Sequence, residues 1–214
     1  GGVLSTIVRG ANETVAPADV DAAEPLIRDA FAVLVQLEIP VETVRHAVET
    51  ACRHGVRVIL NAAPARALPD TLLPLCDTVI VNEVEAGFYT GRPIRDVREA
   101  QSAIVPFARD YDVRAVFTLG AQGSVGFDGR DLCHVPPAPA RVVETTGAGD
   151  SFVGGFAKAQ SLGMGFRASL EFAARCSAAT ISRVGGQDAM PDLEQMQQFL
   201  KFSASPLPDE QVLL

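Results

Sequence analysis

The stretch Thr145-Thr146-Gly147-Ala148-Gly149-Asp150-Ser151-Phe152 constrains this chain more than any other, because a β-branched run stops there in two glycines and a helical pattern begins. The first turn of a helix carries backbone N–H groups without intrahelical partners, at the positive end of the macrodipole. A phosphate placed there is held by amides alone. Gly147 and Gly149 have no Cβ to keep such a ligand away and tolerate positive φ at little cost. Phe152, Phe156 and Ala159 then repeat at i, i+4 and i+7, giving the helix an apolar face. Gly154 and Gly155 inside it cost about 1 kcal/mol each in propensity, which predicts a neighbour packed tightly against them. Asp150 becomes a first-turn carboxylate beside the anion site, and a carboxylate so placed can take the proton of a hydroxyl that attacks a phosphate. Taken alone, a G-x-G-D is more often a capped turn than a catalytic site.

Around this loop, β-branched or apolar runs alternate with helical patterns, the signature of an α/β fold with a mostly parallel sheet flanked by helices. Strands are expected over residues 3–9, 32–36, 56–60, 78–81 and 115–119, with residues 32–36 buried. Residues 10–12 turn the chain, and a short helix follows Pro17. Val44, Ala47, Val48, Ala51 and Cys52 fit helical spacing over residues 41–54, which Gly55 stops. Asn61 to Pro64 form a turn, a helix runs from Asn82 to Gly91, and another covers residues 96–108, kinked or shortened by Pro106. The glycines of residues 120–126 invite a dinucleotide-site reading, but that fingerprint requires a helix next. Alternation and an Asp128-Gly129 turn instead predict a hairpin of residues 124–127 with 132–135. Residues 141–144 are expected to return to the sheet. Leu170, Ala173, Ala174, Ser177, Ala178 and Ile181 mark a long helix ending at Gly185-Gly186, and a last amphipathic helix spans residues 192–202. The expectation is one domain over residues 1–202 followed by a tail, 203–214. Glu38, Asn82, Gly120 and Asp150 all fall just past strand ends, the edge of an open parallel sheet where ligands bind.

Composition removes several classes of function. A formal net charge of -8 argues against nucleic acid or an anionic membrane surface as partner. The cysteines and histidines have no metal-ligand spacing, and nothing suggests a disulfide framework. With no signal-peptide pattern and no apolar run of spanning length, the expected location is the cytoplasm. A Walker A loop is absent, and the only lysines are Lys158 and Lys201.

The string TTGAGDSFVGGFA strongly resembles the C-terminal signature of the ribokinase-like (PfkB) family of carbohydrate kinases. The resemblance implies ATP-dependent transfer of the γ-phosphoryl group to a sugar hydroxyl, with Asp150 as base and the amides of Gly147, Ala148 and Gly149 as the anion hole. Gln36-Leu37-Glu38-Ile39-Pro40 resembles the segment whose glutamate hydrogen-bonds the sugar, which implies that Glu38 is a substrate contact and leans towards ribose as acceptor. Asn82-Glu83-Val84-Glu85 resembles the N-x-x-E motif. It implies Asn82 near the nucleotide phosphates and Glu85 organising magnesium through water, although Asn at N-cap with Glu at N3 also spells a capping box. Thr118-Leu119-Gly120-Ala121-Gln122-Gly123 resembles the T-L-G-x-x-G nucleotide loop. A loop pair contributing Glu144 resembles the site for a monovalent cation such as potassium, with Thr146, Thr180, Arg183 and Gly185 implied to supply mainly carbonyls.

Departures from the family pattern are specific. The family usually has an aspartate where Glu144 stands and a serine near Ala189, departures that weigh against potassium activation. Ala174 replaces an aromatic or histidine that some members set against adenine. The chain also opens in what looks like the middle of the family domain. The expectation is therefore a truncated member without the first strands, the sugar-binding aspartate, and the lid through which members often form homodimers. The remaining readings are a fructokinase-like or adenosine kinase-like acceptor preference, and a non-catalytic fragment that binds nucleotide.

Overall fold

The computed structural model describes residues 10–196, and the expected strand of residues 3–9 and the tail of residues 203–214 lie outside them. A 3-10 turn at Gly10–Thr14 leads into α1 (Pro17–Arg28), β1 (Ala32–Gln36), α2 (Val41–Arg53) and β2 (Arg57–Asn61). Next come β3 (Thr78–Asn82), α3 (Glu83–Thr90), α4 (Val97–Tyr111) and β4 (Arg114–Thr118). The hairpin β5 (Ser124–Phe127) and β6 (Leu132–Val135) follows, then α5 (Ala148–Ser161) and α6 (Phe166–Ile181). Of the expected last helix, only its start at residues 193–196 is described.

The six strands lie in sequence order in one sheet, β1 to β4 parallel and the hairpin antiparallel. Period-two alternation divides the core into two layers. Val58, Leu60, Val79, Val81, Ala115 and Phe117 face the side covered by α2 and α4, where Val44, Val48, Ile104 and Phe107 meet them. Ile59, Ile80 and Val116 face the other side, against Phe152, Val153 and Phe156 of α5 and Leu170 of α6. The parallel strands therefore present all their C-terminal ends at one edge, and α5 starts there. Among the described residues no helix is long and apolar enough to cross a membrane.

Four expectations change. β1 is half-exposed rather than buried, with Leu34 44% exposed, because it forms an edge of the sheet among the described residues. Residues 141–144 form no strand. The N–H groups of Val143 and Glu144 donate to the Ile181 carbonyl at 2.8 and 3.3 Å, so the end of α6 captures them before they reach the sheet. α4 continues through Pro106 to Tyr111, because Phe107 and Ala108 beyond the proline are buried in the core and their packing outweighs one lost backbone bond. Of the two helix glycines, only Gly155 is required by packing. A Cβ there would stand 2.8 Å from Cys176 Sγ, whereas at Gly154 nothing lies within 4 Å.

Candidate active site

The last residues of the four parallel strands are Gln36, Asn61, Asn82 and Thr118, all half-buried. Each follows by two the residue that faces α5 or lies level with it in the pleat, so the polar ends are directed to the side where α5 begins. Gly147 is the N-cap of α5, with φ 78, the left-handed conformation that glycine adopts without strain. Ala148 N–H donates to Thr145 C=O at 3.2 Å, whereas the amides of Gly149 and Asp150 have no carbonyl ahead of them in the helix. Gly149 itself is helical, so positive φ is not its reason for being glycine. A Cβ on Gly149 would meet nothing within 4 Å; its absence keeps space open at the helix end.

That space belongs to a cleft of about 320 Å³. Asn82, Glu83, Thr118 and Gly149 line it together with Ala174, Ala178, Ile181 and Pro137. Polar groups with free helix amides beside an apolar surface match a phosphate chain joined to a flat base. Gly120 and Gly123 of the loop after β4 also line it, both at positive φ. Gly123 is obligatory, since a Cβ would stand 2.1 Å from the Val135 carbonyl oxygen. Leu119 is buried beneath this loop and Gln122 donates to Arg95 C=O at 3.0 Å, so these two hold the loop in shape. Ala121 is exposed.

Asn82 caps α3. Its Oδ1 accepts from Val84 N–H and Glu85 N–H at 2.9 and 3.0 Å, and Glu85 accepts from the Asn82 main-chain N–H and side-chain amide at 2.8 and 3.0 Å. Glu85 is 5% exposed, and burial pushes its carboxyl up against the lowering effect of both Asn82 hydrogen bonds. Glu83, one residue past Asn82, is the carboxylate on the cleft wall.

Asp150 is exposed, and its Oδ1 accepts a hydrogen bond from Gln36 Nε2 at 2.6 Å. Glu38, two residues beyond Gln36, is also exposed. Leu37 between them is fully buried and donates to Ala63 C=O at 2.8 Å, which fixes the strand end that carries both. Behind α5, Glu144 Oε2 accepts from Gly185 N–H at 3.0 Å, and the Thr146 hydroxyl and that N–H hold its carboxyl below the usual range. The Thr180 hydroxyl is buried and donates to Ser151 Oγ at 2.8 Å, and Arg183 reaches Gln195 at 3.2 Å. The structure thus joins Glu144, Thr146 and Gly185 by side-chain contacts, and the side-chain bonds of Thr180 and Arg183 leave their carbonyls out.

The model of the pfkB family carbohydrate kinases matches residues 5–193. The chain belongs to this family. It is 39% identical over 187 residues to the bifunctional ribokinase/ribose-5-phosphate isomerase A of Fructilactobacillus sanfranciscensis, covering 86% of this chain and 34% of that protein. It is 31% identical over 198 residues to a deoxyribokinase of Salmonella typhi, covering 92% and 65%. The structure of Arabidopsis thaliana ribokinase complexed with ribose and ATP superposes with a TM-score of 0.83 at 31% identity, over 92% of this chain and 65% of that one. The chain spans between a third and two thirds of the length of these relatives. Within this pfkB family member, sequence reasoning passed over Gln36 and Glu83. The signal was there for both: Gln36 is the polar terminus of an otherwise apolar strand, and Glu83 immediately follows the capping asparagine.

Proposed function

We propose that this chain carries the nucleotide half and the general base of an ATP-dependent sugar kinase whose acceptor is the primary hydroxyl of D-ribose. One observation carries the reading: Gly149, whose amide is free at the start of α5, lines the cleft, and the next residue is Asp150 with an exposed carboxylate. ATP would lie with its base against the apolar surface and its phosphates between Asn82, Thr118 and the Gly149 amide. Glu38 would orient the sugar. The hydroxyl proton passes to Asp150, the hydroxyl oxygen bonds to the γ-phosphorus, and the β,γ-bridging P–O bond breaks to leave ADP. Of the expected amides of Gly147 to Gly149, that of Ala148 is committed to Thr145 C=O, so the Gly149 amide, with that of Asp150, would face the charge of the transferred group.

Magnesium suits the donor set, since Glu83 lies on the cleft wall and Glu85 is sequestered in the capping box, from which it would act through water. When bound, magnesium neutralises phosphate charge. A monovalent cation would find the Glu144, Thr146 and Gly185 loop pair, already closed by its own hydrogen bonds. The relatives support this reading because they include ribokinases, one determined with ribose and ATP. The deoxyribokinase relative supports 2-deoxyribose as a second acceptor. The test is calorimetric titration with Mg-ATP of the parent and of Gly149→Val, followed by turnover with ribose. Saturable binding by the parent and none by the variant is expected; no binding by a folded parent overturns the reading.

A further inference from the structure

We infer that Gln36 is a positioning residue for the Asp150 base, holding one carboxylate oxygen so that the other is presented to the acceptor hydroxyl. This rests on the phosphoryl-transfer reading above. The contrast that motivates it lies between two helices of the same chain. Asp150 is the third residue of α5, as Glu85 is of α3. A carboxylate at that position readily turns back to the N–H of its own cap residue. Glu85 does so, at 2.8 Å from Asn82 N–H. Asp150 does not; it is bonded across the sheet edge to a residue 114 positions away.

The donor is fixed in place. Gln36 ends β1 in register with Asn61 of β2, and the next residue, Leu37, is fully buried with its N–H on Ala63 C=O. Asn61 is held in turn by its amide donating to Ile80 C=O at 3.0 Å. At 2.6 Å from Gln36 Nε2 to Asp150 Oδ1 the two groups are in direct hydrogen-bond contact, with the amide as donor. An amide N–H cannot accept a proton, so it reserves Oδ1 as an acceptor and leaves Oδ2 as the oxygen that takes the hydroxyl proton. Without this tether the Asp150 side chain is free to turn towards the cap of α5, away from the acceptor.

The experiment reads contact and role separately in the 214-residue chain. In nitrogen-15 spectra, one Gln36 side-chain amide proton should lie downfield of those of the other glutamines and move back in Asp150→Ala, which removes the acceptor. In turnover, Gln36→Met, close in shape but without a donor, should lower kcat by about tenfold to a hundredfold and leave the KM for ATP within about twofold. Gln36→Glu, which keeps the shape and replaces the donor by an acceptor, should fall at least as far. A Gln36 resonance unmoved in Asp150→Ala overturns the inference, as does parental kcat in either Gln36 variant. A parent that binds ATP yet turns over no sugar overturns the kinase reading and the role with it, while the resonance still reports the contact.

Discussion

Glu85 closes on Asn82 with both carboxylate oxygens, at 2.8 Å to the main-chain N–H and 3.0 Å to the side-chain amide. The same asparagine accepts from two amides of α3, so the cap and the buried acid hold one another. Asn82→Ala removes the side-chain cap and one of the two donors to a carboxylate that is 5% exposed. The expected loss is about 2 kcal/mol, read as a lower urea midpoint with unchanged m-value. ATP affinity should fall as well, because Asn82 also lines the cleft.

Two cleft glycines should respond in opposite ways. Gly123→Ala forces a Cβ to 2.1 Å from Val135 O at φ 86, and a destabilisation of about 3 kcal/mol is expected. At Gly149 the backbone is helical and a Cβ meets nothing within 4 Å, so in Gly149→Val the urea midpoint should stay at or above that of the parent while Mg-ATP binding disappears.

Asp150→Asn keeps the shape of the base and its acceptor for Gln36 while removing the proton acceptor. Turnover should drop by at least about a hundredfold, with ATP affinity unchanged within a few-fold by calorimetry. Normal turnover in this variant would refute the base assignment.

The acceptor is resolved by a panel of ribose, 2-deoxyribose, fructose and adenosine at equal concentration. Ribose is expected to give the highest kcat/KM. Glu38→Gln should raise the KM for sugar and leave that for ATP alone, because Glu38 lies past β1 rather than on the cleft wall.

Burial pushes the thiols of Cys76 and Cys176 up to about 12, so the thiolate that reacts with alkylating reagents forms only near that pH. Raising the pH from 7 to 10 should therefore leave both unlabelled by iodoacetamide in the folded chain. Exposed Cys52 should label first. Mass spectrometry at matched times checks this, and full labelling of Cys76 at pH 8 without unfolding would contradict its burial.

The sequence by itself determined much of what is set by neighbours a few residues apart. The helical spacing of Val44, Ala47, Val48 and Ala51, the Asp128-Gly129 turn and the hairpin around it, and the Asn82 to Glu85 capping box are local patterns, and the structure has all of them. It also placed Glu38 and Gly120 just beyond strand ends and Asn82 close to one, since a parallel sheet gathers those ends on one edge, whereas no strand leads into Asp150, which follows a loop at the start of α5. Only the tertiary structure decided what depends on which elements become neighbours. β1 reads as a buried apolar run yet is an edge strand among the described residues, and Val143 reads as strand yet is claimed by the Ile181 carbonyl. The hydrogen bond from Gln36 to Asp150 joins residues 114 apart, and no local period encodes it. It exists because the pleat of β1 and the start of α5 bring an amide and a carboxylate within reach at one corner of the sheet.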